Sequence, residues 1–127
     1  MKVDLFDRSR LPLLAKEMDL YVDRNKAIAN NIANIATPGY KRVDLSFQGA
    51  LSNAIANSKN DVQLSQNVEQ VQPMIEIDRS NTLDNGINNV DIDQEMALLA
   101  KNQLQFKMAA RLMSQTFTMI DKSINGD

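Results

Sequence analysis

The 127-residue chain contains no cysteine, no histidine and no tryptophan. Without thiols or imidazoles there is no disulfide, no Cys/His zinc site and no histidine base. Only four glycines are present, and no glycine-rich phosphate loop occurs among them. Aromatic residues make up 5% of the chain, few for a single compact core but workable for helices packed through Leu, Ile, Met and Ala. Net charge is −2, from 14 basic and 16 acidic residues. That balance gives no electrostatic reason to expect nucleic acid or anionic lipid as the main partner. No apolar run approaches the roughly 20 residues of a membrane span. The N-terminal stretch is broken by Asp4, Asp7, Arg8 and Arg10, so it does not read as a secretory signal peptide. Composition alone reads as cytosolic, and a working place outside the cytoplasm would require an export route without a cleaved signal.

Hydrophobic residues make up 43%, and they concentrate in two helical stripes, one at each end. Leu11, Leu14, Met18, Tyr21, Asn25, Ile28, Ile32 and Ile35 follow unbroken 3/4 spacing. Ile92, Met96, Leu99, Gln103, Phe106, Ala110, Met113, Phe117, Ile120 and Ile124 do the same. This a/d pattern predicts a mainly α chain in which two helices, each about 30 residues or 45 Å, pair antiparallel as a coiled-coil hairpin. Asn25 and Gln103 are polar exceptions within the stripes, of the kind that fixes register or partner. Thr37-Pro38-Gly39 stops the first helix, with Gly39 free to take positive φ. Asp91 with Gln94, or Asp93, caps the second.

Three regions follow: 1–37, the N-terminal helix; 38–89, the turn and an irregular middle; and 90–127, the C-terminal helix. Within the middle, Phe47, Leu51 and Ile55 predict a short helix, and Met74–Ile77 a short strand. Asp84-Asn85-Gly86 is a turn signal. Residues 52–72, rich in Asn, Gln and Ser, read as a loop.

An enzyme would need a nucleophile, an acid/base pair or a cofactor loop. Asp91, Asp93 and Glu95 form the one dense carboxylate cluster; Asp91 and Glu95 share a helical face and in principle could bind a cation, but a helix N-terminus accounts for the acids through its dipole. Lys41-Arg42 reads as a solvated pair. No catalytic, cofactor or metal site is expected.

The segment from Ala29 to Lys41, Ala-Asn-Asn-Ile-Ala-Asn-Ile-Ala-Thr-Pro-Gly-Tyr-Lys, carries three asparagines near a helix end. Asparagine is a poor helix former. It marks either a fraying helix C-terminus or carboxamides hydrogen-bonding across a packed interface. As a whole the segment resembles the N-terminal signature of the flagellar rod, hook and hook-associated protein family. Asp44, Phe47 and the run Asn88-Asn89-Val90-Asp91-Ile92-Asp93-Gln94-Glu95-Met96 also resemble the proximal-rod member of that family. The C-terminal Gln103-Leu104-Gln105-Phe106-Lys107-Met108 departs from the Arg-Ala-Tyr-Glu-Ala-Asn stretch of other rod proteins. Ile87 departs from the family pattern.

The resemblance implies a structural subunit that polymerises through its terminal helices and transmits torque. It implies the subunit itself, other rod proteins, the inner-membrane ring protein and the rod adapter as partners. It also implies passage through the flagellar type III export apparatus, and a place in the periplasmic rod. Asn30, Asn31, Asn34, Thr37, Pro38, Gly39 and Tyr40 are then expected at the subunit interface. The competing readings are another axial-family member or a generic coiled-coil adaptor. The latter accounts for the stripes but not for the asparagine-rich turn.

Overall fold

A computed structural model describes residues 10–126. The N-terminal positions Asp4, Asp7 and Arg8 lie outside the described residues. In chain order the elements are α1 (Leu11–Ala33), β1 (Val43–Ser46), α2 (Gln48–Ala56), α3 (Asp61–Glu69), β2 (Met74–Ile77) and α4 (Ile92–Asn125).

The two terminal helices pack against each other. They run antiparallel: Asn31 near the end of α1 meets Glu95 in the first turn of α4, and Tyr21 meets Asn102 further along. Pro12 sits in the first turn of α1, where its missing N–H costs nothing. The α4 start is set by the Asp91 carboxylate, which accepts from the amides of Asp93 (3.0 Å) and Gln94 (3.5 Å). Gly126, at φ +72°, closes its end. The lengths are unequal, 23 residues for α1 and 34 for α4.

α1 also packs against the middle of the chain. Leu13 and Leu20 from α1 join Leu45 and Phe47, Leu51 from α2, and Val68 and Val71 in one buried cluster. Phe47 is its centre. Tyr21 meets the Phe47 ring edge-on, centroids 5.5 Å apart. The Arg24 guanidinium lies 4.4 Å above the same ring, and its Nε donates to the Leu45 carbonyl (3.0 Å). One arginine thus fixes the strand-to-helix corner against α1 through a cation–π contact and a hydrogen bond.

β1 and β2 form an antiparallel pair with Val43 opposite Ile77 and Leu45 opposite Ile75, so the strand expected at Met74–Ile77 is present. α2 matches the expected short helix. Residues 52–72 are not a loop: α3 occupies much of them, capped by Asn60, whose side chain accepts from the Gln63 amide. Leu64 and Val68, one turn apart, face inward, and Val71 just past the helix end is buried beside them, enough to hold the helix beneath an otherwise polar surface.

Candidate functional site

The turn after α1 and the start of α4 meet in a buried polar cluster. α1 ends at Ala33, and residues 34–39 form turns that bring Tyr40, Arg42 and Val43 back beneath the helix end. Gly39 has φ +74°, a conformation that glycine adopts without strain, and its amide donates to the Ile87 carbonyl (2.9 Å).

Asn31 is fully buried. Its Nδ2 donates to the Val43 carbonyl (2.8 Å) and to Glu95 Oε2 (3.2 Å). Its Oδ1 accepts from the Val43 amide and the Tyr40 hydroxyl, both 2.9 Å. One carboxamide therefore ties α1, the turn, β1 and α4. Glu95, also fully buried, receives Arg42 Nε at 2.6 Å. Arg42 reaches Asp78 Oδ2 at 3.4 Å, and its backbone amide donates to Asn89 Oδ1 at 2.8 Å. Asn89 Nδ2 donates in turn to the Asp78 carbonyl (2.9 Å). Asn88 Nδ2 lies 3.0 Å from each of the carbonyls of Asn34, Ile35 and Thr37. These include carbonyls that the end of a helix leaves unpaired.

The electrostatics follow the burial. Desolvation pulls the Arg42 guanidinium down, but the Glu95 hydrogen bond and charge outweigh it, so its pKa lies above the ordinary value. Burial raises the Tyr40 phenol. The Ser80 backbone amide holds the Asp78 carboxyl below its usual range, helped by Arg42. A buried ion pair of this kind contributes little net stability over an apolar replacement, yet losing one partner costs about 3–5 kcal/mol. Its effect is to specify one arrangement of turn and helices.

This geometry corrects several expectations. Asn31 is not a subunit-facing residue: all of its hydrogen-bonding groups are used within the chain. Arg42 is buried rather than solvated. Asn30 donates to the Tyr40 hydroxyl (2.9 Å), and Asn34 donates to the Asn30 carbonyl (2.8 Å) while accepting from Thr37 (3.1 Å). Those contacts close the turn locally, and Pro38 and Gly39 are exposed beside them.

The seam also differs. On α1, Leu14 and Ile28 are buried, and Met18, Tyr21, Asn25 and Ile32 are partly so, as is Ile35 in the turn beyond it. On α4 the buried line is Glu95, Asn102, Ala109 and Thr116, a strict seven-residue repeat. It runs one residue away from the expected stripe. Leu99, Phe106, Met113 and Ile120 flank it half-buried, whereas Ile92, Met96, Gln103 and Phe117 are exposed. The residues that reading the sequence missed are Arg42, Asn88, Asn89, Glu95 and Asn102. The polar, helix-breaking pair before Asp91 was the available signal for Asn88 and Asn89. Asp91 caps α4 and Glu95 turns inward, and among the described residues no three acidic side chains converge on a possible metal site.

The chain thus presents paired terminal helices, a turn locked by buried polar contacts, and apolar side chains exposed along α4. No family model matches the chain. It is 33% identical to the flagellar basal body rod protein FlgB of Borreliella burgdorferi, over 94% of this chain and 95% of that one. It is 32% identical to FlgB of Borrelia hermsii, over 97% of each. Identity to FlgB of Bacillus subtilis is 35%, over 81% of this chain and 83% of that one. The chain belongs to the FlgB family of flagellar basal body rod proteins.

Proposed function

We propose that the chain is a structural subunit of the proximal rod of the flagellar basal body, polymerising through its terminal helices to form part of the axle that transmits torque. The observation that carries this reading is the similarity to FlgB relatives along nearly the whole chain. The fold supports it. The Asn31–Glu95–Arg42 cluster holds α1 and α4 in one fixed relation, which a torque-bearing element requires. Ile92, Met96, Leu104, Met108, Phe117 and Ile124 are exposed on α4, giving neighbouring subunits apolar area to bury.

The partners in this reading are further copies of the chain, other rod proteins, the inner-membrane ring protein and the rod adapter. The turn residues Asn30, Asn34, Thr37, Pro38, Gly39 and Tyr40 serve as a rigid corner beside those contacts. The subunit travels through the flagellar type III export apparatus to the periplasm without signal cleavage, and it performs no catalysis. No described helix is long and apolar enough to cross a membrane.

The test is complementation. Deleting the gene should abolish swimming, and the intact chain, supplied in trans, should restore it and be recovered in isolated basal bodies. A deletion strain that swims normally overturns the reading.

A further inference from the structure

Asp84-Asn85-Gly86 lies on the exposed loop that leads into the buried polar cluster. An asparagine followed by glycine is chemically labile, because glycine has no side chain to keep its amide nitrogen from the neighbouring carboxamide carbon. The chain holds two such pairs, Asn85-Gly86 and Asn125-Gly126, and the fold treats their side chains differently. Both glycine amides are hydrogen-bonded, Gly86 to the Leu83 carbonyl (3.0 Å) and Gly126 to the Lys122 carbonyl (2.9 Å). At the end of α4, Asn125 Nδ2 donates back to Asp121 Oδ1 (2.9 Å), which draws the carboxamide away from Gly126. In the loop, Asn85 Oδ1 instead reaches forward and accepts from the Ile87 amide (2.9 Å). A reach from residue 85 to the amide of residue 87 carries the carboxamide across the Gly86 nitrogen. The same hydrogen bond draws electrons from Cγ and makes it the better target.

We propose that Asn85 is a site of spontaneous backbone modification, converting through a cyclic imide to isoaspartate, and that the change loosens the cap on the end of α1. Base removes the Gly86 amide proton, and the nitrogen bonds to Asn85 Cγ. The Cγ–Nδ2 bond breaks, and ammonia leaves after taking up a proton from water. A second water opens the imide at one of its two carbonyls, giving aspartate or isoaspartate. The net change is one water consumed and one ammonia released, with no oxidant or reductant. The imide nitrogen carries no hydrogen, so its bond to Leu83 is lost at the first step. Isoaspartate then leaves the main chain one carbon longer between Leu83 and Asn88, whose amide and carbonyl are tied at 2.9 Å. The Ile87 carbonyl in this loop receives the Gly39 amide, and Asn88 caps the carbonyls of Asn34, Ile35 and Thr37. A longer loop therefore disturbs the turn and the cap together, from a position that solvent reaches freely.

Incubating the purified full-length chain at mildly alkaline pH, followed by peptide mass spectrometry, supplies the test. Each conversion adds about 1 Da, and isoaspartate is read separately by labelling with an isoaspartyl methyltransferase. Unfolded in urea, the two Asn-Gly pairs should convert at similar rates. In the folded chain Asn85 should convert several times faster than Asn125. The isoaspartate form, separated by ion exchange on its added charge, should have a lower Tm than the parent. Asn85→Ser keeps an oxygen that can accept from the Ile87 amide but cannot close an imide, so it should hold the parent Tm and show no conversion there. Asn85→Asp carries the new charge without the added carbon and should also unfold like the parent. If folded Asn85 converts no faster than Asn125, the site is overturned. If the isoaspartate form is as stable as Asn85→Asp, the loosening of the α1 cap is overturned.

Discussion

Asn31→Leu separates a fold-locking asparagine from one that faces a neighbour. Leucine favours helix over asparagine by about 0.5 kcal/mol, and burying its side chain returns about 1.5–3 kcal/mol. Against this, the substitution strands the Val43 amide, the Val43 carbonyl and Glu95 Oε2, all partners of the Asn31 carboxamide. Each buried group left unpaired costs about 1–3 kcal/mol, more where it is charged. Tyr40 is only half-buried and turns to water. The net expectation is a loss of about 2–5 kcal/mol, a large part of the roughly 5–15 kcal/mol that holds a domain folded. Ala29→Leu is the control: it lies in the same stretch of α1 but is exposed, so it should stay within about 0.5 kcal/mol of the parent. Urea unfolding of the purified chain, followed by far-UV circular dichroism, measures both. With a slope of about 1–3 kcal/mol/M, Asn31→Leu should lower the midpoint by about 1 M or more. If the two variants unfold at the same urea concentration, the buried carboxamide contributes nothing to the fold and the reasoning fails.

Gly39→Val should cost about 1–2 kcal/mol from its positive φ alone, because a β-carbon there meets no atom within 4 Å. Gly39→Asn should cost less, as calorimetric Tm values will show. Burial raises the Glu17 carboxyl above its ordinary value, with Arg10 pulling the other way. The ionised form is therefore disfavoured by folding, a penalty that is full above the folded-state pKa and relieved as pH falls through it. Glu17→Gln should raise Tm at pH 7, with the gain fading on acidification below the folded-state pKa; a gain that grows there counts against this assignment. Mass spectrometry of the chain from basal bodies should show an uncleaved N-terminus, and a form shortened by about 15 residues or more would indicate a conventional signal peptide.

What was legible in the sequence were features determined by neighbours along the chain. Asp91 capped its helix because a carboxylate meets the free amides of the next turn. Gly39 took positive φ because the chain turns there, and Met74–Ile77 extended as a short apolar run. Asn31 was misassigned because its partners arrive from Val43 and Glu95, and no local spacing signals a buried carboxamide. α3 was hidden because only Leu64 and Val68 mark its inner side. The α4 seam was displaced by one residue for a related reason. Periodicity tracks apolar side chains, while Glu95, Asn102 and Thr116 fill its buried line and several apolar residues face outward.

The reach of Asn88 back to the carbonyls of Asn34, Ile35 and Thr37 also dictates an order of events. If the chain leaves through a narrow channel N-terminus first, in line with the export route proposed above, α1 emerges long before residue 88. Until then the end of that helix has no cap from Asn88, and Arg42 waits without Glu95. The first third of the molecule thus lacks the means to complete its own structure, and closure is deferred until the segment from 88 to 95 emerges. On that route, late completion of this kind would keep the leading segment pliable in transit and tie final rigidity to the arrival of the rest of the subunit.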